Sequence, residues 1–342
     1  MKKTFLFIAA ASVMLTACKG GQNEPTQPEQ EQEQEQTQTE PANVAALFAM
    51  PVVFNGTFVE VTNALITASR QQRAGAPAAL RAGETYPQIS WTPQDGTWPI
   101  DLTVNYGKEA VIGTDGLEHS GVMKIHATGL FETPNTVLTP TFTGFYVYGT
   151  TLTGTQTIQN TGKNKAGNLV FDVVTKDGKL GAGKNFIYSE HTSRELIKGL
   201  GENGFMAPDV KTHTYSITGT MKTVSQIDTI PGCEVLIDNL QPMVIAVGDL
   251  YPTDGLLHLT LDKGMSQTME GFTLSISKMD LTFTGKNEQN QYGASFTATA
   301  TMTTPMGSTE QKIAASFLLD KSGIIPGSVQ MEGVDIPGEN EK

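Results

Sequence analysis

The chain has 342 residues and a formal net charge of −12, with 35 acidic and 23 basic side chains. Such an acidic balance disfavours a nucleic-acid partner, because contact with phosphates needs a basic face. The sequence holds only two cysteines, Cys18 and Cys233, which excludes a disulfide-rich secreted scaffold. The length suffices for one large domain or two moderate ones, each with a core that needs no disulfide.

Residues 1–17 have the three parts of a secretory signal peptide. Two lysines give a positive start, and an apolar run from residue 5 to residue 15 follows, too short to span about 30 Å of hydrocarbon. The segment Leu15-Thr16-Ala17-Cys18 resembles the lipobox of bacterial lipoproteins, where cleavage leaves the cysteine first and acyl chains such as palmitate are attached to it. The alternative is an ordinary cleaved signal that happens to contain a cysteine.

Lipidation of Cys18 predicts stable attachment to a membrane, because two or more acyl chains hold a protein on a bilayer. No later segment reaches the roughly 18 apolar residues of a spanning helix, so the acyl chains are the only anchor we expect. Lys19 follows the cysteine, where an inner-membrane protein would have Asp, and we therefore expect the outer membrane. The sequence leaves open whether the body faces the periplasm or the cell exterior.

Residues 18–41 combine the acylated cysteine with a linker rich in Glu, Gln and Pro. From Gln22 to Pro41 the linker contains six Glu and three Pro but no aromatic or β-branched apolar residue. Such a segment cannot bury enough surface to offset its ordering entropy, and we expect it to be disordered. A helix in the repeated Glu-Gln stretch is the alternative, but it has no apolar stripe with which to dock.

The segment that begins at Pro41 contains one weak helix candidate, from Ala45 to Met50. The next stretch, SRQQRAGAPAALRAGE, groups Arg70, Arg73 and Arg81. Because Gly and Pro interrupt it, we interpret this stretch as an exposed loop rather than as a binding arm.

The rest of the chain predicts a mainly β fold. Residues 128–161 contain 12 Thr in 34 positions, which suits a half-buried sheet and disfavours helix. Alternating patterns such as IDLTVNY, NLVFDVVTK and FTLSISKMDLTFTG are separated by turn signals such as Asp115-Gly116 and Asp177-Gly178. Short strands at this spacing predict an antiparallel β-sandwich or a rolled sheet.

Two β-rich units in tandem are expected, over residues 42–203 and 204–338. The motif DGLEH, which begins at Asp115, is echoed by DGLLH, which begins at Asp254. The motif TGKN occurs at Thr161 and again at Thr284, each time shortly before a strand that contains Phe. Because Asp-Gly turns recur by chance in β proteins, this pattern suggests duplication without requiring it.

Part of the chain resembles a group of cell-envelope lipoproteins from Bacteroidetes. The resemblance rests on WPIDLTVNYGKEAVIGTDGLEHSGVMKIHATG (Trp98–Gly129), FTGFYVYGTTLTGTQTIQNTG and GNLVFDVVTKDGKL, with a fainter continuation to about residue 275. Leu117 and His119 depart from the pattern, in which these positions are usually basic. The group has no assigned activity, so the resemblance implies location and fold type but no catalytic residue. It also favours a strand over a short helix for HTSRELIKGLG.

The stretch GTDGLEHSG places Asp115, Glu118 and His119 within five residues. That grouping is consistent with a metal or acid–base site, but a calcium loop needs more oxygen ligands and a zinc site needs three or four converging ones. An Asp-Gly hairpin turn explains the stretch by itself, so we expect no metal and no other cofactor here. Cys233 has no partner in the chain and is expected to be a buried thiol, with an intermolecular bridge as the alternative.

Trp91 and Trp98, together with Tyr86, flank the Pro-containing segment SWTPQDGTWPI. Exposed indoles there could stack on sugar rings or contact a protein, whereas buried ones would fill the end of the core. The sequence has no nucleophile elbow, phosphate-binding loop, His-Glu-x-x-His motif or dinucleotide fingerprint, and we do not expect an enzyme.

Three functions agree with these observations. The first is a lipid-anchored β module that binds a protein or glycan at the envelope or serves as a structural part there. The second is a carrier whose curved sheet holds an apolar ligand such as a lipid, which requires a dry cavity. The third is a glycan-acting hydrolase, which requires carboxylates that converge in space.

Overall fold

Seventeen antiparallel strands form one hydrogen-bonded sheet in the computed structural model of this protein. The structure describes residues 41–73, 87–95, 97–181, 185–202, 204–228, 230–249, 251–269, 272–320, 323–325 and 327–332. The mainly β class is thereby confirmed. The predicted signal peptide, Cys18, the linker up to residue 40, Tyr86 and Arg81 lie outside the described residues.

In the described part of the chain, the helix α1 (Pro41–Arg73) precedes the strands. The strands in chain order are β1 (Gln88–Thr92), β2 (Ile100–Ile112), β3 (Glu118–Ala127), β4 (Val137–Thr141), β5 (Phe145–Val147), β6 (Thr150–Lys163), β7 (Leu169–Leu180), β8 (Phe186–Lys198), β9 (Thr214–Ser225), β10 (Cys233–Ile237), β11 (Met243–Ala246), β12 (Gly255–Met269), β13 (Phe272–Lys286), β14 (Tyr292–Thr304), β15 (Gly307–Asp320), β16 (Gly323–Ile324) and β17 (Gln330–Glu332). A short 3-10 helix, Val210–Thr212, stands before β9.

The strands follow one another across the sheet largely in chain order. Where a strand is long and its neighbours are short, two short strands share one edge: β4 and β5 pair with β3, and β10 and β11 pair with β9. The segment HTSRELIKGLG contributes residues 191–198 to β8, which confirms the strand interpretation. Strand β8 has 13 residues and pairs with β9 along its length.

Helix α1 corrects two expectations from the sequence. It extends far beyond the predicted Ala45–Met50 segment, and it includes Arg70 and Arg73, which we had placed in a loop. Pro41 suits the first helical position, where a missing N–H costs nothing. The helix is rich in β-branched residues, whose helix propensity is low, so packing against the sheet must stabilise it.

The sheet curves around α1, which is buried on all sides from Met50 to Ser69 apart from a few half-buried positions. Phe54 stacks on Tyr188 of β8 at 5.1 Å, and Phe58 meets Phe171 of β7 and Tyr215 of β9 edge-on. The burial of each large apolar side chain contributes about 1.5–3 kcal/mol to the free energy of folding. No helix in the described part of the chain is long and apolar enough to cross a membrane.

Residues on both sides of position 204 share the core around α1, Met206 and Tyr215 among them. The predicted boundary between residues 203 and 204 stays a prediction. Strands β12–β15 pack on two smaller clusters, one around Ile313 and one around Phe317.

The two TGKN motifs adopt the same local structure. Each ends a strand in an irregular pairing with a glycine at positive φ, Gly162 at 104° and Gly285 at 113°. The asparagine that follows accepts two loop N–H groups through its side chain, at Asn164 in one hairpin and Asn287 in the other. The β6–β7 and β13–β14 hairpins therefore share the same loop structure, and duplication of a larger unit stays a prediction.

Candidate functional site

A buried polar cluster joins α1 to the hairpin of β2 and β3. Glu60 comes from the helix, Tyr106 from β2, Asp115 from the turn and His119 from β3. We call these four residues the Glu60 cluster. The sequence places Asp115 in a turn, and the structure confirms this, since the Gly113 N–H donates to the Leu117 carbonyl and Gly116 has a φ of 83°.

Hydrogen bonds connect all four members of the Glu60 cluster. The Tyr106 hydroxyl donates to Glu60 Oε2 at 2.5 Å, and the Asp115 backbone N–H donates to Glu60 Oε1 at 2.9 Å. His119 Nε2 lies 2.9 Å from both carboxylate oxygens of Asp115. The Leu117 N–H also donates to Asp115 Oδ1, at 3.0 Å. The turn and the helix are thus joined through two carboxylates.

The cluster is shielded from water. Glu60 is 1% exposed, and the side chains of His119 and Asp115 are 0% and 2% exposed. Burial raises the pKa of Glu60 above its usual value and the Asp115 carboxylate raises it further, while the Tyr106 hydroxyl partly offsets these effects. Burial also raises the pKa of the Tyr106 hydroxyl well above its usual value. A side chain that acts on a substrate must reach it, and these side chains face the interior.

Two glycines make room for the Asp115 carboxylate. A Cβ on Gly56 of α1 would lie 2.4 Å from Asp115 Oδ2. A Cβ on Gly113 would lie 2.5 Å from His119 Cδ2, 2.7 Å from Asp115 Oδ1 and 2.8 Å from Glu60 Oε1. Any larger residue at either position would therefore displace the cluster.

A second buried polar cluster lies on the β8 side of α1. Arg194 pairs with Glu190 at 3.1 Å and donates to Asn55 of the helix at 2.7 Å. The Arg194 guanidinium also stands 4.3 Å from the centre of the Phe58 ring. Tyr188 donates to Glu190 at 2.6 Å. We call these residues the Arg194 cluster; its acid and base balance each other, unlike the groups of the Glu60 cluster.

The polar residues of α1 between these clusters also bond to the sheet. Thr57 donates to Gln156 Oε1 at 3.0 Å, and Gln156 donates back to the Phe54 carbonyl at 3.1 Å. Asn63 donates to Thr114 at the β2–β3 turn, at 3.0 Å. These contacts attach the helix to β6 and to the β2–β3 turn.

The two described residues among the predicted stacking residues, Trp91 and Trp98, do not form an exposed platform. Trp91 is only 2% exposed and belongs to the core, so its indole cannot stack on a ligand in this structure; this corrects the stacking interpretation. Trp98 is half-buried against the same core. Of the three residues grouped in GTDGLEHSG, Asp115 and His119 meet in the interior, but Glu118 is exposed on the opposite face of β3.

The other histidines and Cys233 lie apart from these clusters. His126, His191 and His258 are on the surface, each beside an aspartate. Burial lowers the pKa of His213, whose Nε2 faces the Ala207 carbonyl at 2.9 Å. Cys233 is buried and free, and burial raises the pKa of its thiol to about 12.

Sequence reasoning missed Glu60 because it missed α1. A single acidic residue in the run TFVEVTNALI is the available signal, since an isolated carboxylate among apolar residues of a buried helix needs partners. Comparisons of the chain with known protein families, with curated proteins and with solved structures find no match.

Proposed function

We propose that this protein is a lipid-anchored lipoprotein of the bacterial outer membrane whose β-rich body is a binding or structural module. The signal peptide and the lipobox at Cys18 support the anchor. The acidic linker of residues 18–41 separates the body from the membrane. The body carries no catalytic role in this proposal.

The observation that carries this choice is the position of α1. A carrier of an apolar ligand needs an open, apolar interior, and here Phe54, Phe58 and Leu65 of the helix fill the space inside the curved sheet. The aromatic rings of helix and sheet touch one another at 5.1 to 6.2 Å between centres. A partner is therefore bound on the outer surface or at the ends of the sheet.

One end of the sheet presents apolar side chains suited to contact. Ile112 at the end of β2 is 62% exposed, and Tyr148 after β5 is 39% exposed. Both flank the first residue of β3, since Ile112 pairs with Glu118 and the Tyr148 N–H donates to the Glu118 carbonyl. An aromatic and an aliphatic side chain beside a carboxylate form a patch that can bind a protein or a glycan.

The anchor is tested by fractionation of cells that express the full chain. The Cys18→Ser variant is expected to leave the membrane fraction and to lose the acyl mass increment at its N-terminus. The Cys233→Ser variant is the matched control and is expected to stay with the membrane. A Cys18→Ser protein that stays membrane-bound would contradict the proposed anchor.

The patch is tested by crosslinking in intact cells followed by mass spectrometry. A double variant, Ile112→Ser with Tyr148→Ser, is expected to lose the crosslinked partner or the bound glycan. Met306→Ser is the control, because Met306 is 97% exposed at the distant β14–β15 turn. Equal crosslinking by the double variant and the wild type would overturn this placement.

A further inference from the structure

Three potential metal ligands converge inside the Glu60 cluster. A ligand atom from each of Glu60, Asp115 and His119 lies within 4.8 Å of the others. They come from a helix, a turn and a strand, so only the folded chain brings them together. His119 Nε2 lies 2.9 Å from both Asp115 oxygens, so binding of a tetrahedral ion would widen this separation to about 3.4 Å, the distance between two atoms each bound about 2.1 Å from the metal.

The cluster lacks a compensating positive side chain. In the Arg194 cluster the buried Glu190 has a guanidinium partner at 3.1 Å, but neither Glu60 nor Asp115 pairs with a Lys or Arg among the described residues. Two carboxylates in a water-excluded interior are costly unless a cation or a proton balances them. One imidazole can balance at most one of the two charges. The balance for the second carboxylate must come from a proton or from a bound cation.

The hydrogen bonds of His119 are also incomplete. Its ring is 1% exposed and turned toward Asp115, and its Nδ1 has no hydrogen-bond partner among the described residues. The ring is held instead by aromatic neighbours, with Phe145 stacked on it at 5.2 Å. Buried imidazole nitrogens are normally paired. Hydrogen bonds to described residues thus satisfy only one of the two ring nitrogens of His119.

Gly113 leaves open the space on which the three side chains converge. The atoms that a Cβ would meet there belong to His119, Asp115 and Glu60, all within 2.8 Å. We propose that the Glu60 cluster binds one divalent transition-metal ion, with Zn²⁺ as the best match, and that the ion fastens α1 to the β2–β3 turn. One imidazole and two carboxylates suit Zn²⁺, whereas Ca²⁺ and Mg²⁺ prefer sites made of oxygen alone.

Such an ion has a structural role in this position. It binds the folded arrangement and not the unfolded chain, so its binding free energy adds to the stability of the docked helix. Glu60 is the ligand that transmits this effect, because it is the one contributed by α1. Tyr106 then supports the site by orienting Glu60 through its hydroxyl.

The test uses the full lipidated chain in detergent, stripped with a chelator and dialysed. Isothermal titration with ZnCl₂ is expected to show one equivalent bound, with a rise in the unfolding temperature. Asp115→Asn and His119→Gln are each expected to weaken binding at least tenfold, on the order of the loss of one ligand. His258→Gln is the control, because His258 is also flanked by aspartates but lies at the surface, and it is expected to bind as the wild type does.

A second readout begins with the wild-type chain, so that the proposal stays testable even if a variant fails to fold. Co²⁺ added to the stripped wild-type chain is expected to give visible absorption bands, and Glu60→Gln, which removes a buried charge while keeping its shape, is expected to alter or abolish them. Absence of Zn²⁺ binding to the wild type would overturn the proposal. Binding that survives unchanged in folded Asp115→Asn, His119→Gln or Glu60→Gln protein would also overturn it, since the ion would then lie elsewhere.

Discussion

The guanidinium of Arg194 lies 3.1 Å from the carboxylate of Glu190, and both side chains are at most 1% exposed. Replacing Arg194 with Met leaves a buried negative charge without its partner, and we expect a loss of about 3–5 kcal/mol in the free energy of unfolding. Urea denaturation measures this loss. The exposed Lys222–Glu234 pair serves as the control, and Lys222→Met is expected to cost less than about 1 kcal/mol.

The double variant Arg194→Met, Glu190→Gln separates the two sources of that loss. If the unpaired charge is the main cause, the double variant is more stable than Arg194→Met alone. A double variant that is no more stable than Arg194→Met would show that the unpaired charge is not the main cause, which leaves the lost contacts of Arg194 with Asn55 and Phe58.

Gly178 of β7 lies directly beneath the Phe54 ring of α1. A Cβ at this position would lie 2.6 Å from two ring carbons of Phe54 and 3.3 Å from Tyr188 Cβ. We expect Gly178→Ala to lower the free energy of unfolding by about 1–3 kcal/mol through overpacking. Denaturant unfolding of the purified chain checks this value.

The matched control for Gly178→Ala changes Phe54, the residue on the other side of this contact. Phe54→Leu removes the ring edge, so Gly178→Ala is expected to cost less in a Phe54→Leu background than in the wild type. Equal costs in both backgrounds would mean that α1 does not press on this part of β7.

Cys233 is expected to be inert in the native protein. Burial raises the pKa of its thiol to about 12, and the thiolate is the reactive form. A thiol reagent such as DTNB at pH 8 should therefore label the native chain slowly and the urea-unfolded chain at once. Rapid labelling of one equivalent without denaturant would contradict the burial of this side chain.

The pKa values of two histidines are expected to be shifted in opposite directions from the usual value. Hydrogen bonding to Asp280 raises the pKa of His258 above its usual value, whereas burial lowers that of His213. His258 therefore adds stability below its unfolded pKa of about 6.5 and loses it as the pH rises through its folded pKa. His213 has the reverse effect: its contribution is present above about pH 6.5 and is lost as the pH falls.

NMR titration of the imidazole signals checks this pair, with His258→Gln and His213→Gln for assignment. The stability effect of His258 is expected to stay below about 1 kcal/mol, because its side chain is 37% exposed and solvent screens its partners. Coincident titration of the two rings would contradict the opposite environments of His258 and His213.

The sequence by itself determined the β class and the Asp115-Gly116 turn, because these depend on local alternation and turn chemistry, whereas local patterning left helix and strand open for HTSRELIKGLG. Only the tertiary structure revealed the extent of α1 beyond the Ala45–Met50 candidate and, with it, the meeting of Glu60 with Asp115 and His119. The helix is enclosed on nearly all sides, so its apolar residues follow no single stripe, and its β-branched residues are typical of strands. Packing against the sheet stabilises this helix, and because these contacts are distant in sequence, they leave only a weak local signal.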